Sequence, residues 1–409
     1  MEILLFAPYP PYPPRFGGAT RVCHLVRAVA REHRITLLCF ASPEESAALG
    51  PLREVCEAVH TVPYPTGADP RAKRFYQLRS LVGRPYSYYV NYSPAMAAAL
   101  QRLSTAGRFD LVQLEFGDVA PFYAVPGPAL RVLDEHNVEH RLLERSWRQA
   151  RSPFRRLYNR IEAHKLRRAE LATCRRMDAI LTTSDVDRAT LAPDVDGVPI
   201  RVIPNGVDTA FFTPDESTPV DPARLVFTGA IDYHPNTDGV LHFSAEILPR
   251  IRAAAPDVNL AVVGKDPPPA VQALAGERVL VTGTVPDVRP WLRSAAVVVV
   301  PLRVGGGTRL KILEALATGR AVVSTSLGCE GLEVTPGEDI LVADTPEAFA
   351  EAVVRCLREP ALRARLGAAG RALVERRYRW ETIGRSLSDF YWELSARGAG
   401  SARRRGVAA

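Results

Sequence analysis

Short apolar runs alternate with amphipathic helical patterns along the whole chain. The apolar runs of the first half predict strands at Ile3–Ala7, Ile35–Phe40, Leu111–Glu115, Ala129–Asp134, Ala179–Thr182 and Ile200–Ile203. Those of the second half predict strands at Leu225–Thr228, Asn259–Val263, Val279–Thr282, Ala296–Pro301, Ala321–Thr325 and Ile340–Ala343. Strands that alternate with helices are typical of a parallel sheet covered by helices. The sequence therefore predicts an α/β fold with two doubly wound parallel-sheet domains in tandem.

The two halves are separated by a segment, Thr213 to Pro222, that is polar and rich in proline, as linkers are. We place the N-terminal domain at residues 1–208 and the C-terminal domain at residues 209–378. An apolar stripe predicts a further amphipathic helix at residues 379–395. The tail, residues 396–409, is small and basic and is predicted to be disordered.

The composition is that of a soluble globular protein, with 47% hydrophobic and 24% charged residues in 409. No apolar run is long enough to span a bilayer, and Met1–Phe6 is predicted to be a first strand rather than a signal peptide. A net charge of +7 favours anionic ligands. The cysteines have no paired metal-ligand spacing and fit reduced, cytosolic thiols: Cys23, Cys39, Cys56, Cys174, Cys329 and Cys356.

A long helical segment from Arg141 to Arg176 is strongly basic, and Pro153 is expected to divide it into two helices. It carries interspersed apolar residues at Trp147, Phe154, Leu157, Tyr158, Ile161 and Leu166. Two interpretations remain open, a solvated charged helix and a helix that rests on an anionic membrane surface. Nucleic acid is disfavoured as a partner because no binding-motif spacing accompanies the charge.

Two glycine-rich turns each follow a predicted strand and precede a predicted helix. Gly305, Gly306 and Gly307 come before a helix start that carries Thr308, Arg309, Lys311 and Glu314, which predicts a phosphate site with a spare carboxylate. The other turn, at Gly17 and Gly18, fits neither the dinucleotide nor the Walker pattern, so a structural turn explains it equally well. Both turns are expected on the ligand side of the sheets, in a cleft between the domains.

Several motifs together resemble one family, the retaining glycosyltransferases of family 4, which have the GT-B fold. They are FGGATR near the N-terminus, LDEHNVEH (Leu133–His140), PNGVD (Pro204–Asp208), VTGTV (Val281–Val285) and GGGTRLKILEALATGRAVVST (Gly305–Thr325). The resemblance implies two Rossmann-like domains, the first binding the acceptor and the second a nucleotide sugar. It also implies that the helix at residues 379–395 crosses back to the first domain.

The activity that the resemblance implies is sugar transfer, with retention and without a metal, from a UDP- or GDP-type donor. The donor is a substrate, so no cofactor is expected. The acceptor is expected to be a glycan, a lipid-linked molecule or a small molecule. We expect a cytoplasmic location, with the inner face of the membrane as a peripheral site.

The family carries two glutamates with seven residues between them, and this chain departs from that motif. The second glutamate, which the resemblance assigns to the ribose hydroxyls of the donor, is Glu314, and a carboxylate is a good acceptor for a vicinal diol. The first, expected to contact the donor sugar, is replaced by Gly306. Sugar contacts would then come from the backbone N–H groups of Gly306 and Gly307, or from another residue.

A second departure concerns the donor diphosphate, which many members neutralise with a GR…K pattern after the first strand of the second domain. Here Gly229 keeps the glycine, whereas Ala230 and Pro235 stand at the basic positions. We hypothesise that Arg309 or Lys311 supplies the missing charge, and we favour Arg309 because it lies nearer the helix start.

The remaining expected donor contacts come from both halves. The resemblance implies a histidine that contacts the donor sugar, which we assign to His136, and backbone contacts to the base near Thr284 and Val285. Gly305, Thr308 and Leu310 complete the predicted donor site at the second glycine turn.

We expect no metal site. His136 and His140 lie four residues apart beside Glu135 and Glu139, but the HExxH pattern is absent. The DxD sequences Asp185–Asp187 and Asp194–Asp196 lie at a capped helix start and in a turn, and we interpret both as structural.

Two rival functions stay open. One is a UDP-sugar 2-epimerase-like GT-B enzyme, which would need further acid and base carboxylates. The other is a non-catalytic partner protein that kept the fold, an alternative raised by the replacement at Gly306. A tandem Rossmann dehydrogenase is disfavoured because no GxGxxG with a following acidic residue is present where it would be needed.

Overall fold

The computed structural model describes residues 1–65, 72–107, 109–149, 152–215 and 217–406, with side chains through residue 397 apart from residue 149. The chain divides into two compact units. Unit 1 consists of Met1–Pro204 together with Glu381–Ala409, and unit 2 is Asn205–Trp380.

Unit 1 is built on a seven-stranded sheet in the order β3-β2-β1-β4-β5-β6-β7, and all neighbours in it are parallel. Strands β1 and β2 are buried on both faces, which is why their sequences are largely apolar. The strand order reverses between β1 and β4, so the switch point of unit 1 lies there. The strands are β1 (Glu2–Ala7), β2 (Arg34–Phe40), β3 (Ala58–Val62), β4 (Leu111–Glu115), β5 (Leu130–Glu135), β6 (Ala179–Thr182) and β7 (Ile200–Val202).

The helices of unit 1 cover this sheet, and local signals explain where several of them begin. Pro153 is the first residue of α8, so the basic segment is two helices, as predicted. Ser184 caps α9 by accepting a hydrogen bond from the N–H of Asp187 at 3.2 Å, also as predicted. The helices are α1 (Gly17–Val29), α2 (Pro43–Ala48), α3 (Gly50–Arg53), α4 (Lys73–Val82), α5 (Tyr86–Asn91), α6 (Pro94–Ala106), α7 (Glu139–Gln149), α8 (Pro153–Cys174) and α9 (Asp185–Leu191).

Unit 2 is built on a six-stranded parallel sheet in the order β10-β9-β8-β11-β12-β13. Its order reverses between β8 and β11, which places a second switch point there. The strands are β8 (Arg224–Thr228), β9 (Asn259–Val263), β10 (Val279–Val281), β11 (Val297–Val300), β12 (Ala321–Ser324) and β13 (Leu341–Val342). The helices are α10 (His234–His242), α11 (Leu248–Ala254), α12 (Pro269–Gln272), α13 (Arg289–Ser294), α14 (Leu310–Ala317), α15 (Pro346–Arg358) and α16 (Pro360–Arg377).

The last helix, α17 (Trp380–Gly406), belongs to unit 1 over nearly all of its length. Gly384 lies so close to α1 that an added Cβ would be 2.2 Å from the Cβ of Ala28. The Ser388 hydroxyl is 2.7 Å from Nε2 of His33. The helix continues beyond the predicted end at residue 395 to Gly406, in a segment that no proline interrupts. Residues 407–409 lie outside the described part of the chain.

The prediction of two doubly wound parallel-sheet domains is confirmed. Strand β3 was not predicted because it is an edge strand, half-buried, and lacks a continuous apolar run. All six cysteines are buried and free. Within the described residues, no helix combines the length and the apolar content that crossing a membrane requires.

Candidate functional site

The switch point of unit 2 is surrounded by glycines whose backbone conformations favour that residue. Gly229 directly follows β8 and has φ +147°. The loop after β11 contains Gly305 with φ +108° and Gly307 with φ +73°, whereas Gly306 is not in the left-handed region. A Cβ on Gly305 would lie 3.1 Å from the ring of Pro235, so the two loops meet at the carboxyl ends of β8 and β11.

The backbone is packed tightly next to this point. A Cβ on Gly264, which follows β9, would lie only 1.6 Å from the carbonyl oxygen of Gly229. The N–H of Gly264 in turn donates to the carbonyl of Gly283 at 3.3 Å. Three neighbouring strands are therefore followed by glycines that lie close to one another, and at Gly264 this approach is possible only without a side chain.

Lys311, in the first turn of α14, connects the two sides of the switch point. Its Nζ donates to Oδ1 of Asn236 at 2.7 Å and lies 4.0 Å from the ring centre of Phe227. A Cβ on Gly229 would lie 2.8 Å from that Nζ. Burial, together with the nearby Arg309 charge, lowers the pKa of Lys311 to about 7.

Glu314 lies one helical turn after Lys311 and is half-buried. Burial raises the pKa of its carboxyl group to about 7, and the Lys311 charge opposes that shift. Among the described residues, none donates a hydrogen bond to the Glu314 carboxylate. Its oxygens are therefore available to hydroxyl groups of a ligand.

Arg309, which we favoured for the donor diphosphate, contacts the glycine loop. Its Nη1 donates hydrogen bonds to the carbonyl oxygens of Gly306 and Gly307, and the residue is 9% exposed. The side chain thus ties the glycine loop to the start of α14, where Leu310 is the first helical residue. The Thr308 hydroxyl in the same loop is buried and has no hydrogen-bond partner among the described residues.

The residues predicted to hold the base follow β10, at the same sheet edge. Thr284 is exposed, and Val285 is half-buried against the core of unit 2. Asn236 was missed by the sequence analysis. Its position after a glycine turn was a weak signal, and its amide contact with Lys311 joins residues 75 positions apart.

In unit 1, Gly17 and Gly18 are the first residues of α1, which has no side-chain cap. Gly17 is exposed. A Cβ on Gly18 would lie 2.3 Å from Oη of Tyr9 and 2.7 Å from Cζ of Phe116. Gly18 is thus needed for aromatic packing, and the Tyr9 hydroxyl beside it is buried without a partner among the described residues.

His136 follows β5 and is held by a chain of buried side chains in unit 1. Its Nε2 is 2.6 Å from Oε2 of Glu115, and its ring lies on that of Phe116 with centroids 3.7 Å apart. Gln113 donates to the other Glu115 oxygen at 2.7 Å and accepts from the hydroxyl of Tyr391 in α17. Burial and the nearby Asp134 raise the pKa of Glu115, and His136 opposes that shift.

Glu115, Asp134 and His136 offer ligand atoms within 4.8 Å of one another. Arg21, however, binds both oxygens of Asp134 at 2.9 Å and donates to the carbonyl of Pro204. A metal ion here would meet this fixed positive charge. Arg21 and Glu115 were missed by the sequence analysis, although an arginine within the apolar stripe of α1 and a carboxylate at a strand end were signals for them.

The other motifs considered for metals make structural contacts. His140 is buried, with Nδ1 2.7 Å from Oε2 of Glu170. Asp187 accepts from the Ser184 hydroxyl at 2.7 Å at the start of α9. Asp194 and Asp196 pair with arginines of unit 1, at 2.7 Å from Arg167 and 3.2 Å from Arg175.

Two family models match the chain in succession. The model described as Glycosyltransferase Family 4 matches residues 16–211, and the one described as Glycosyl transferases group 1 matches residues 222–359. The first matched segment lies in unit 1 except for residues 205–211, and the second lies within unit 2.

Characterised relatives match about half of this chain. A lipopolysaccharide core biosynthesis mannosyltransferase, LpcC of Rhizobium leguminosarum bv. viciae, is 31% identical over 205 residues, which are 46% of this chain and 56% of the relative. A phosphatidyl-myo-inositol mannosyltransferase of Mycobacterium tuberculosis is 29% identical over 211 residues, 48% of this chain and 55% of the relative. The chain thus spans a little more than half the length of the curated relatives it matches.

Solved structures resemble the whole chain at low sequence identity. Sucrose-phosphate synthase from Thermosynechococcus elongatus has a TM-score of 0.69 at 20% identity, covering 97% of this chain and 100% of that one. Anabaena Alr3699/HepE in complex with UDP has a TM-score of 0.68 at 14% identity, covering 96% of this chain and 100% of that one. This likeness concerns the fold, and the prediction of a GT-B fold is confirmed by it.

Proposed function

Because the chain belongs to glycosyltransferase family 4, we propose that it transfers a hexosyl group from a nucleotide diphosphate sugar to a glycan or lipid-linked acceptor. The observation that carries the proposal is the switch point of unit 2, where the glycine loop at residues 305–307, Lys311 and Glu314 converge, and where the Glu314 carboxylate accepts no hydrogen bond from the described residues. Backbone N–H groups, a helix start and one cation suit a diphosphate, and a free carboxylate suits a ribose diol.

In the proposed donor complex, Glu314 accepts hydrogen bonds from the ribose hydroxyls and Lys311 neutralises the diphosphate. Geometry favours Lys311 over Arg309 for this charge, because Arg309 is already bonded to the glycine loop. The Thr308 hydroxyl, buried without a partner, would donate to a phosphate oxygen. The contribution of Arg309 to catalysis that we hypothesised from the sequence would then be indirect.

Transfer needs stabilisation of the leaving diphosphate while the anomeric carbon gains positive charge. We propose same-face attack by the acceptor, with retention and without a metal, the departing phosphate taking the acceptor's proton. His136, oriented by Glu115, would contact the donor sugar, and the N–H groups of Gly306 and Gly307 would replace the absent first glutamate of the motif.

The relatives suggest which donor to test first. LpcC and the mycobacterial relative are named as mannosyltransferases, and a Corynebacterium glutamicum relative is named as GDP-mannose-dependent. We therefore propose GDP-mannose as the leading donor, with the UDP-hexoses as the comparison. The names of these relatives refer to lipopolysaccharide core biosynthesis and to phosphatidyl-myo-inositol, which favours a lipid-linked acceptor here.

Calorimetric titration of the full chain with GDP, UDP and ADP tests the donor site. We expect one of the three nucleotides to bind. The substitution Glu314→Gln should weaken its affinity about tenfold or more, because an amide is a poorer acceptor than a carboxylate for two hydroxyls. Glu351→Gln, an exposed glutamate of α15, is the matched control and should bind as the unaltered chain does. Equal affinities for both variants would contradict the role of Glu314.

A transfer assay with GDP-mannose and UDP-glucose over a panel of glycolipid acceptors tests the reaction. Sugar on an acceptor supports the proposed function. Conversion of a UDP-sugar to its epimer without an acceptor would favour the epimerase alternative. Nucleotide binding without either reaction would favour the non-catalytic alternative.

A further inference from the structure

Helix α4 (Lys73–Val82) presents its apolar face to solvent. Phe75, Leu78 and Val82 recur at helical spacing on one face, and they are 61%, 68% and 95% exposed. Ser80, on the opposite face, is the only fully buried residue of the helix. A ten-residue helix with its apolar stripe outward is inverted relative to an ordinary surface helix. Such an exposed stripe marks an interaction surface.

The first turns of α8 extend this stripe. Phe154 is 86% exposed and Leu157 is 58% exposed. The two helices are joined beneath the stripe, because the Ser80 hydroxyl is 3.0 Å from Oη of Tyr158. We define the α4–α8 surface by the exposed side chains Phe75, Leu78, Val82, Phe154 and Leu157.

The charged residues of α4 and of α8 up to Arg160 are all positive. Lys73, Arg74 and Arg79 on α4, and Arg155, Arg156 and Arg160 on α8, are exposed, and none pairs with a carboxylate among the described residues. No aspartate or glutamate occurs between Asp69 and Asp110, or between Glu144 and Glu162. The later part of α8 differs, since Lys165 and Arg167 are paired with Glu162 and Asp194 at 2.6 and 2.7 Å.

Tyrosines support the same region from α5. Tyr76 of α4 stacks on Tyr89 with ring centroids 5.6 Å apart, and Arg79 lies 5.1 Å from the ring centre of Tyr89. Arg84 lies 4.4 Å from the ring centre of Tyr88. Aromatic rings with a polar tip and arginines with long apolar stems are the side chains that suit a membrane–water interface.

We propose that the α4–α8 surface docks on an anionic lipid bilayer, with its apolar side chains below the headgroups and its arginines on lipid phosphates. A protein partner would have to match an apolar stripe bordered on both helices by cations that have no carboxylate partner in the described part of the chain, whereas an anionic bilayer supplies both chemistries at once. The anchoring surface is therefore α4 with the start of α8, rather than the whole basic segment from Arg141 to Arg176.

Flotation of the full chain with vesicles tests the surface, independently of nucleotide binding or sugar transfer. Vesicles of phosphatidylcholine alone are compared with vesicles that contain phosphatidylglycerol, at low and at high salt. We expect binding to the anionic vesicles at low salt and weaker binding at high salt. The double substitution Leu78→Asp with Val82→Asp should weaken the binding by about tenfold or more. It removes two apolar side chains that would enter the bilayer and puts negative charges next to anionic lipid.

Matched controls keep the result interpretable. Val186→Asp alters an exposed valine on α9, and Arg385→Gln removes an exposed arginine of α17, so neither should change vesicle binding. Arg79→Gln with Arg155→Gln should weaken binding and flatten its salt dependence. Failure of the unaltered chain to float with anionic vesicles overturns the proposal, and so does equal binding by the Leu78/Val82 variant that remains folded by circular dichroism.

A second copy of the chain is the main alternative occupant. Light scattering without lipid distinguishes it, since a dimer that the Leu78/Val82 variant converts to a monomer would assign the surface to self-association and overturn the proposal. A monomer at all concentrations, together with vesicle binding, supports the bilayer.

Discussion

At the scale of single residues, Lys311 and Glu314 share one poorly solvated environment and hold opposite charges one helical turn apart. Burial brings the pKa of the amine down to about 7 and that of the carboxyl up to about 7. Near neutral pH each group is therefore close to its pKa, and a bound ligand can change its protonation state. A diphosphate favours the charged amine, and hydroxyl donors favour the ionised carboxylate.

This environment predicts a pH dependence of nucleotide affinity. Below pH 7 Lys311 is protonated before the diphosphate arrives, whereas above about pH 7 binding must first add a proton. We expect the affinity to fall with rising pH from about 7 to 9, by at most about tenfold per unit. Lys311→Arg stays charged and should flatten this profile. Calorimetry across that range measures it, and the same slope for both proteins would exclude Lys311 as the titrating group.

We predict that the main effect of removing the Arg309 side chain is a lower free energy of unfolding. Losing its two hydrogen bonds to the glycine loop should cost about 1.5–3 kcal/mol, as for bonds to a charged donor. Urea unfolding of Arg309→Ala measures this loss. Arg303→Ala is the control in the same loop, because its pair with Asp238 is exposed and should be worth about 1 kcal/mol or less. A loss no larger for Arg309→Ala than for Arg303→Ala would refute the structural role.

At the scale of elements, strands β8 and β9 of unit 2 are each followed directly by a glycine, and Gly229 after β8 lies against Lys311 at the candidate site. Gly229→Ala places a Cβ at 2.8 Å from Nζ of Lys311 and 3.0 Å from Nδ2 of Asn236, at a strained φ of +147°. We expect nucleotide affinity to fall about tenfold or more, since the amine must leave its position. Gly276→Ala has open space around its Cβ and should bind nucleotide normally.

The same elements show how far the sequence could be interpreted. Strands β1 and β11 were predictable because burial on both faces demands continuous apolar residues. Strand β3 was not, since an exposed edge removes that demand. The glycine loop and Glu314 were predictable from a local motif, whereas the contact of Lys311 with Asn236 depends on how two distant loops meet.

The sequence also could not show which of the two cations, Arg309 or Lys311, faces the switch point. Arg309 and Lys311 are two residues apart, and their sequence positions alone favoured the one nearer the helix start. The fold turned Arg309 toward the loop carbonyls and Lys311 toward the switch point. Likewise, the outward face of α4 follows an ordinary helical spacing, and only its placement shows that Ser80 rather than Leu78 faces inward.

At the scale of the whole molecule, unit 1 is completed by the C-terminal end of the chain. Gly384→Leu should disrupt the close packing of α17 on α1 and destabilise unit 1 by about 1–3 kcal/mol. Ser386→Leu, at an exposed position of the same helix, should have little effect. Thermal unfolding with and without nucleotide measures both variants. We expect the nucleotide affinity of the Gly384 variant to be kept, and a parallel loss of affinity would show that α17 also supports unit 2.

Along the chain, unit 2 is inserted between the two segments that form unit 1, and this order has a consequence for how the protein is made. Translation releases residues 1–204 first, while Gln113 and His33 still lack their α17 partners Tyr391 and Ser388. Unit 2 leaves the ribosome as one uninterrupted segment and can form its core before the last helix is synthesised. The first unit to emerge is therefore the last to receive all of its packing partners, because α17 follows unit 2 along the chain.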